Sequence, residues 1–224
     1  MPSIFCKISE FAVLSYYFCS MKATTIPAFL RLFYPSLHWK MPEGENKIYL
    51  TFDDGPHPEI TPEVLKILEP FDAKATFFCV GENVQKFPET YKKVVEAGHL
   101  TANHTFNHLN GWKTPLNLYY ENVTLAQQLI QSDWFRPPYG RITPMQIQAL
   151  KKEYKIVMWS VLSYDFDAET TVDQCISNVL AELNDGAIIV FHDSAKALKN
   201  MLPALQATLQ AGQAKGLRFS RLDE

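Results

Sequence analysis

From Lys47 to the end of the chain, short runs of β-branched and aromatic residues alternate with longer amphipathic stretches. This alternation predicts parallel strands joined by right-handed helical crossovers. The predicted strands are 47–52, 74–80, 99–103, 134–136, 155–161, 187–192 and 217–222. The predicted helices are 61–68, 84–97, 118–130, 143–154, 172–184 and 198–211. Seven strands in about 180 residues favour an α/β fold, a distorted or incomplete (β/α) barrel, over an open sheet.

A length of 224 residues fits one such domain with a short appendage. Residues 47–224 form the predicted domain, and residues 1–46 are expected to cap the barrel or trail from it. No apolar run is long enough to span a membrane. Residues 11–19 form an apolar stretch of the kind found in secretion signals. The acidic Glu10 and the lack of two small residues before a cleavage site disfavour this interpretation. Met21 is an alternative start, which would make residues 1–20 an upstream extension.

Composition excludes several classes of protein. With 47% hydrophobic residues, the chain can bury a large core, which excludes a disordered chain and a disulfide-stapled miniprotein. The net charge of −3 provides no basic field, so nucleic acid is not an expected partner. The four cysteines lack Cys-x-x-Cys spacing, and Cys79 and Cys175 lie in apolar patterns where cysteine acts as a small hydrophobic residue. No pattern specifies an oligomeric state.

Ionisable residues follow five of the predicted strands at their C-terminal ends. In a (β/α) barrel these ends share one rim, where the chemistry of the fold takes place. The five segments are 51–56, 103–108, 136–140, 164–166 and 191–193. Each segment alone is typical of a turn or of a hydrogen-bonded core residue. Their shared placement at one rim predicts an active site.

Two of these segments carry potential metal ligands. His104 and His108 are four residues apart, so both imidazoles can face one side of a helical turn, a frequent metal-ligand spacing. A carboxylate from another strand would complete three protein ligands and leave one position open, the catalytic pattern of zinc. Asp53 and Asp54 are adjacent, so their side chains diverge, and one can bind metal while the other acts as a base.

These motifs resemble the polysaccharide deacetylase family, the NodB-homology or family 4 carbohydrate esterases. The resemblance covers residues 48–193 and touches five family motifs. The first three are Thr-Phe-Asp-Asp-Gly at 51–55, His-Thr-Phe-Asn-His at 104–108 and Arg-Pro-Pro-Tyr at 136–139. The resemblance implies a metal-dependent hydrolase that removes N-acetyl groups from an N-acetylated sugar or polysaccharide and releases acetate.

The resemblance also implies the metal site. Asp54, His104 and His108 would hold a divalent ion. Zinc is the expected ion, with cobalt, nickel and manganese as alternatives.

The remaining matched residues have implied catalytic roles. Asp53 would be the general base, and Arg136 would pair with it and orient it. The Tyr139 backbone N–H would stabilise the oxyanion. His192 would be the general acid that protonates the departing amine, and Asp165 would hydrogen-bond His192 and raise its pKa.

The sequence departs from the family pattern in two motifs. In the fourth, Leu162 stands where the family often has Asp, and Phe166 stands where it has Trp. In the fifth, Val190 replaces a Leu. Phe166 and Val190 are the expected substrate-pocket residues, so these changes affect the identity of the substrate more than the reaction type.

Two alternative functions remain open at this point. One is an amidase or imidase that acts on small amides with the same barrel and metal site. The other is a non-catalytic carbohydrate-binding protein, although the presence of both Asp53 and His192 argues against it. The aromatic residues that could stack on sugar rings in such a protein are Trp112, Tyr119, Tyr120 and Trp134.

Overall fold

The computed structural model describes Thr24, Leu32 and residues 34–224. The apolar stretch 11–19, the alternative start at Met21, and Cys6 and Cys19 lie outside the described residues. In the described part of the chain, no helix has the length and apolar character needed to cross a membrane.

Eight parallel strands form one curled sheet in the described residues. They are β1 (Lys47–Asp53), β2 (Ala75–Cys79), β3 (Leu100–Asn103), β4 (Trp134–Phe135), β5 (Lys155–Ile156), β6 (Val161–Leu162), β7 (Ile188–His192) and β8 (Arg218–Phe219). Their order is β5-β4-β3-β2-β1-β7-β6, and β8 also pairs with β1. The predicted α/β fold with a distorted barrel is confirmed.

Seven α-helices connect or follow the strands in residues 34–224. They are α1 (Ile60–Leu68), α2 (Gly81–Lys86), α3 (Pro88–Glu96), α4 (Leu116–Ile130), α5 (Pro144–Leu150), α6 (Val172–Leu180) and α7 (Leu198–Ala214). Thr143 and Thr171 begin α5 and α6 with capping boxes, in which the threonine and a glutamine three residues later bond each other's backbone N–H groups.

Two predicted elements are divided in the structure. The predicted helix 84–97 is two helices, because Pro88 lacks an N–H and Phe87 before it is non-helical, with φ of −127° and ψ of 54°. The predicted strand 155–161 is the two strands β5 and β6, which lie at opposite ends of the sheet order. Between them, Val157 pairs with His38 in a parallel bridge, so the chain crosses the opening of the barrel there.

The two faces of β1 have different surroundings, because side chains alternate along a strand. Ile48, Leu50 and Phe52 are buried in a hydrophobic cluster on one face. On the other face, Tyr49 belongs to a second buried cluster that also contains Leu37 and Trp39, and Thr51 and Asp53 follow Tyr49 on this face. The alternation therefore places the side chain of Asp53 on the face opposite Phe52, at the C-terminal edge of the sheet.

Candidate active site

Three side chains converge at the C-terminal edge of the sheet. Asp54 follows β1, His104 follows β3, and His108 lies four residues further on. The Nε2 atom of His108 is 3.1 Å from Asp54 Oδ1, and the Nε2 atom of His104 is 3.9 Å from the same oxygen. One ligand atom from each residue lies within 4.8 Å of the others. We call these residues the metal-binding trio.

Both imidazoles of the trio are oriented through Nδ1. The Nδ1 atom of His104 lies 2.8 Å from the carbonyl oxygen of Arg136, and that of His108 lies 3.0 Å from the Tyr139 hydroxyl. Because a carbonyl only accepts hydrogen bonds, neutral His104 carries its proton on Nδ1 and keeps a lone pair on Nε2. Burial lowers the pKa of His104 to about 4, so His104 is neutral at pH 7.

The trio fits a divalent transition-metal ion. Ligand atoms about 2.1 Å from a tetrahedral ion are separated by roughly 3.4 Å, and the two distances to Asp54 Oδ1 fall on either side of that value. Burial would raise the pKa of Asp54, but the His108 hydrogen bond and the charge of His192 lower it, so this carboxylate is ionised. One carboxylate and two imidazoles also leave a coordination position for water or substrate, as catalytic sites require.

Several non-glycine residues of the site have a positive φ, which places their backbone in the left-handed region. This conformation costs about 1–3 kcal/mol for each such residue and clusters at functional sites. Asn83 stabilises one of them by donating its side-chain N–H to the carbonyl oxygen of Asp54 at 2.7 Å. The site residues with positive φ are Asp54 at 80°, Thr105 at 64°, His108 at 58°, Tyr139 at 61° and Tyr164 at 58°.

A buried ion pair lies beside the trio. Arg136, which is fully buried, donates from Nη1 to Asp53 Oδ1 and to Thr51 Oγ1, both at 2.7 Å. Its Nη2 donates to the Met158 carbonyl oxygen at 2.8 Å. The second oxygen of Asp53, Oδ2, lies 3.9 Å from His104 Nε2. Asp53 is therefore fixed through one oxygen, while the other faces the trio.

An acid–histidine pair joins the end of β7 to the segment that follows β6. His192 Nδ1 is 2.8 Å from Asp165 Oδ1, and the His192 backbone N–H donates to Asp165 Oδ2 at 2.7 Å. Burial would lower the pKa of His192, but the charge and hydrogen bond of Asp165, together with Asp54 and Asp53, raise it to about 9. His192 is therefore protonated at neutral pH.

The remaining predicted site residues differ in exposure. Tyr139 is 58% exposed, with its ring 4.6 Å from the ring of His108. Phe166 is 39% exposed, and its ring lies edge-on to His192 at 4.8 Å. Val190 is 1% exposed and belongs to the second hydrophobic cluster. Tyr139 and Phe166 therefore line the surface of the site, whereas Val190 lies beneath it.

Asp193 is a supporting residue to which the sequence analysis assigned no role. Its side chain is buried, and the Thr61 hydroxyl donates to its Oδ2 at 2.5 Å. Burial raises the pKa of Asp193 to about 8. A Cβ atom added to Gly55 would collide with the Asp193 carboxyl group. Asp193 thus packs directly against Gly55 in the loop that carries Asp54, and its contacts come from residues far away in the sequence.

We expect Gly55→Ala to destabilise the protein by about 3 kcal/mol, because overpacking displaces the Asp193 carboxyl group or the metal-binding loop. Gly216→Ala is the matched control. Gly216 has a φ of 70° and no atom within 4 Å of an added Cβ, so its substitution should cost only backbone strain of about 1 kcal/mol. Urea unfolding measures both values. Equal costs for the two variants would contradict the packing described around Gly55.

The rim of this barrel combines a carboxylate–dihistidine trio, a buried carboxylate and a protonated histidine. These groups together define a metal-dependent hydrolase. The sequence profile of the polysaccharide deacetylase family matches residues 40–156. The chain belongs to this family, and the predicted metal-dependent deacetylase is confirmed.

Individual relatives agree with this assignment. The chain is 33% identical over 189 residues to a peptidoglycan-N-acetylglucosamine deacetylase of Bacillus cereus, covering 81% of this chain and 68% of that protein. It is 33% identical over 204 residues to a chitooligosaccharide deacetylase of a Bradyrhizobium species, covering 80% of this chain and 93% of that protein.

Solved structures show the same fold. The peptidoglycan N-acetylglucosamine deacetylase Bc1960, in complex with 4-naphthalen-1-yl-N-oxidanyl-benzamide, superposes with a TM-score of 0.81 and 30% identity, covering 88% of this chain and 95% of that one. A family 4 carbohydrate esterase from Streptomyces lividans, in complex with acetate, gives a TM-score of 0.71 and 27% identity, covering 80% and 93% of the two chains.

Proposed function

We propose that this protein hydrolyses the N-acetyl group of N-acetylglucosamine residues in peptidoglycan, giving acetate and a glucosamine residue with a free amine. The observation that carries the proposal is the presence of Asp53 and His192 beside the metal-binding trio, since hydrolysis of an amide needs both a base and an acid. The choice of polymer is supported by relatives named as peptidoglycan-N-acetylglucosamine deacetylases, at 33% and 34% identity.

We further propose zinc as the ion held by Asp54, His104 and His108. Two imidazoles and one carboxylate match the ligands that zinc takes in catalytic sites. An ion held by these residues would act as a Lewis acid toward water and the acetamide carbonyl.

Asp53 acts as the general base in this proposal. Its Oδ2 faces the trio and takes the proton of the attacking water, while Arg136 holds Oδ1 so that the carboxylate cannot rotate. The buried guanidinium is the counter-ion of this carboxylate, at 2.7 Å from Oδ1. The Tyr139 backbone N–H donates to the oxyanion that develops on the acetamide oxygen.

His192 acts as the general acid. It is protonated in the resting protein and donates the proton on Nε2 to the departing amine, while Nδ1–H stays bonded to Asp165. The Asp165 carboxylate stabilises the imidazolium and fixes the ring. Phe166 packs edge-on against His192 and forms one wall of the substrate pocket. Val190 lies beneath the site, where a Leu in the family motif would occupy more volume.

We expect the plot of kcat/KM against pH to fall on its alkaline side near pH 9, where His192 loses its proton. Asp165→Asn should move this limb to lower pH, because an amide no longer favours the charged imidazole. A lower His192 pKa moves the alkaline limb to lower pH, because a general acid is active only while His192 is protonated. Asp173→Asn, an exposed carboxylate at the start of α6, is the control and should leave the limb in place. An unmoved limb in Asp165→Asn would argue against the pairing.

Product analysis on a substrate panel tests the proposed function. The wild-type protein is incubated with zinc and with peptidoglycan, N-acetylglucosamine oligomers or small imides, and acetate and free amines are measured. We expect acetate from the glycans, with peptidoglycan fragments preferred. Turnover of imides without acetate release from any glycan would show that the proposed substrate is wrong.

A further inference from the structure

A short ridge of three side chains extends from the metal-binding trio. The Arg141 guanidinium carbon lies 5.8 Å from the centre of the Tyr139 ring and 5.2 Å from the centre of the Trp112 ring. The Tyr139 ring in turn packs against His108. Arg141 and Trp112 are half-buried. The ridge consisting of Tyr139, Arg141 and Trp112 therefore borders the active site one aromatic ring away from a metal ligand.

The two loops that form this ridge are firmly joined. Gly111 and Arg141 approach so closely that a Cβ on Gly111 would collide with the Arg141 carbonyl oxygen. Trp112 Nε1 donates to the Ile142 carbonyl oxygen at 3.3 Å. Gln146, which is 1% exposed, donates to the Gly111 carbonyl oxygen at 2.9 Å. The backbone at Arg141 is thus fixed by its close approach to Gly111 and by the buried amide of Gln146.

Arg141 differs from Arg136, the buried arginine of the site, in its charge environment. Arg136 is paired with Asp53. Within residues 34–224, Arg141 forms no ion pair with a carboxylate. A guanidinium that packs against aromatic rings keeps its N–H groups available for hydrogen bonds. Two of these N–H groups can donate to the two oxygens of one carboxylate. The ridge therefore presents a positive charge to an anion beside the active site.

We propose that Arg141 binds a carboxylate on the sugar next to the N-acetylglucosamine residue that is deacetylated. This inference rests on the proposed function and names the residue that selects peptidoglycan. In peptidoglycan the neighbouring muramyl unit carries a carboxylate on its lactyl group or stem peptide, whereas chitooligosaccharides are neutral.

Of the four aromatic residues considered for sugar stacking, Tyr119 and Trp134 are buried and Tyr120 bonds to Glu153. The Trp112 ring instead packs against the Arg141 guanidinium.

Steady-state kinetics with three tetrasaccharides test this assignment. The first is the N-acetylglucosamine tetramer, which is neutral. The second alternates N-acetylglucosamine with muramyl units that have free lactyl carboxylates, and the third has the same units with methylamide caps. A fourth substrate with stem peptides distinguishes the lactyl group from the peptide as the source of the carboxylate. The variants are Arg141→Gln and the control Lys113→Gln, an exposed cation on the same turn as Trp112.

We expect Arg141→Gln to raise KM about 10-fold, with little change in kcat, for the tetrasaccharide with free lactyl carboxylates when the lactyl group is the ligand, or for the stem-peptide substrate when the peptide is. KM for the neutral and capped tetrasaccharides should not change, and Lys113→Gln should behave as wild type. An equal effect of Arg141→Gln on all substrates, or no effect on any, would overturn the role of Arg141 while the deacetylase activity stands. If the wild-type protein releases acetate from none of the glycans, the proposed function fails and this inference fails with it.

Discussion

Replacing Asp53 with asparagine should lower kcat by about 10²–10⁴-fold while the protein still binds its metal. The amide can accept the hydrogen bond from Arg136, so the arrangement around the guanidinium is retained. The amide cannot take a proton from water at neutral pH. Acetate release and metal analysis on the same purified sample measure the two properties separately.

Folding needs a control in this experiment, because the change leaves the buried charge of Arg136 without its counter-ion. Thermal unfolding identifies the temperature range in which the variant is folded, and activity is compared within that range. Asp133→Asn removes an exposed carboxylate that pairs with Lys155 and should keep full activity. A folded, metal-bound Asp53→Asn protein with wild-type kcat would show that Asp53 is not the base.

Replacing His104 with alanine should weaken metal binding by about 100-fold or more, since even changes to residues that only orient a ligand cost 10–100-fold. His104 is 2% exposed, and its Nε2 faces Asp54. The loss leaves two protein ligands, one fewer than catalytic zinc sites use. We expect acetate release to fall in parallel with metal content as zinc is titrated into the variant.

His38→Ala is the matched histidine control for this prediction. His38 packs against Trp134 and pairs through its backbone with Val157, away from the trio. The variant should retain one metal ion per chain and normal turnover. Stoichiometric, tightly bound metal in the His104→Ala protein would contradict the assignment of His104 as a ligand.

The two histidines of the trio and the need for a carboxylate could be predicted from local patterns, whereas the choice of Asp54 over Asp53 came from the family resemblance. Asp54 directly follows an apolar strand, and His104 and His108 follow another at ligand spacing. Once the alternating pattern predicts parallel strands, the ends of those strands must meet at one edge. All parallel strands end at the same edge whatever their order in the sheet, so these residues can be placed together from the sequence.

The features that the sequence did not predict depend on distant residues. Residues 155–161 have the apolar pattern of one strand, but their division depends on His38, more than a hundred positions earlier. The buried state of Asp193 depends on Gly55 and Thr61, the latter 132 residues away. By contrast, the division of the predicted helix 84–97 had a local signal in Pro88, which the periodicity obscured.

The central claim is that one metal ion held by Asp54, His104 and His108 enables deacetylation of a glycan. The most direct test removes metal with a chelator, dialyses the chelator away and titrates zinc back, while acetate release from peptidoglycan fragments is measured at each addition. We expect negligible release from the metal-free protein and a linear rise that levels off at one ion per chain. Full acetate release from the metal-free protein with chelator still present would contradict this claim.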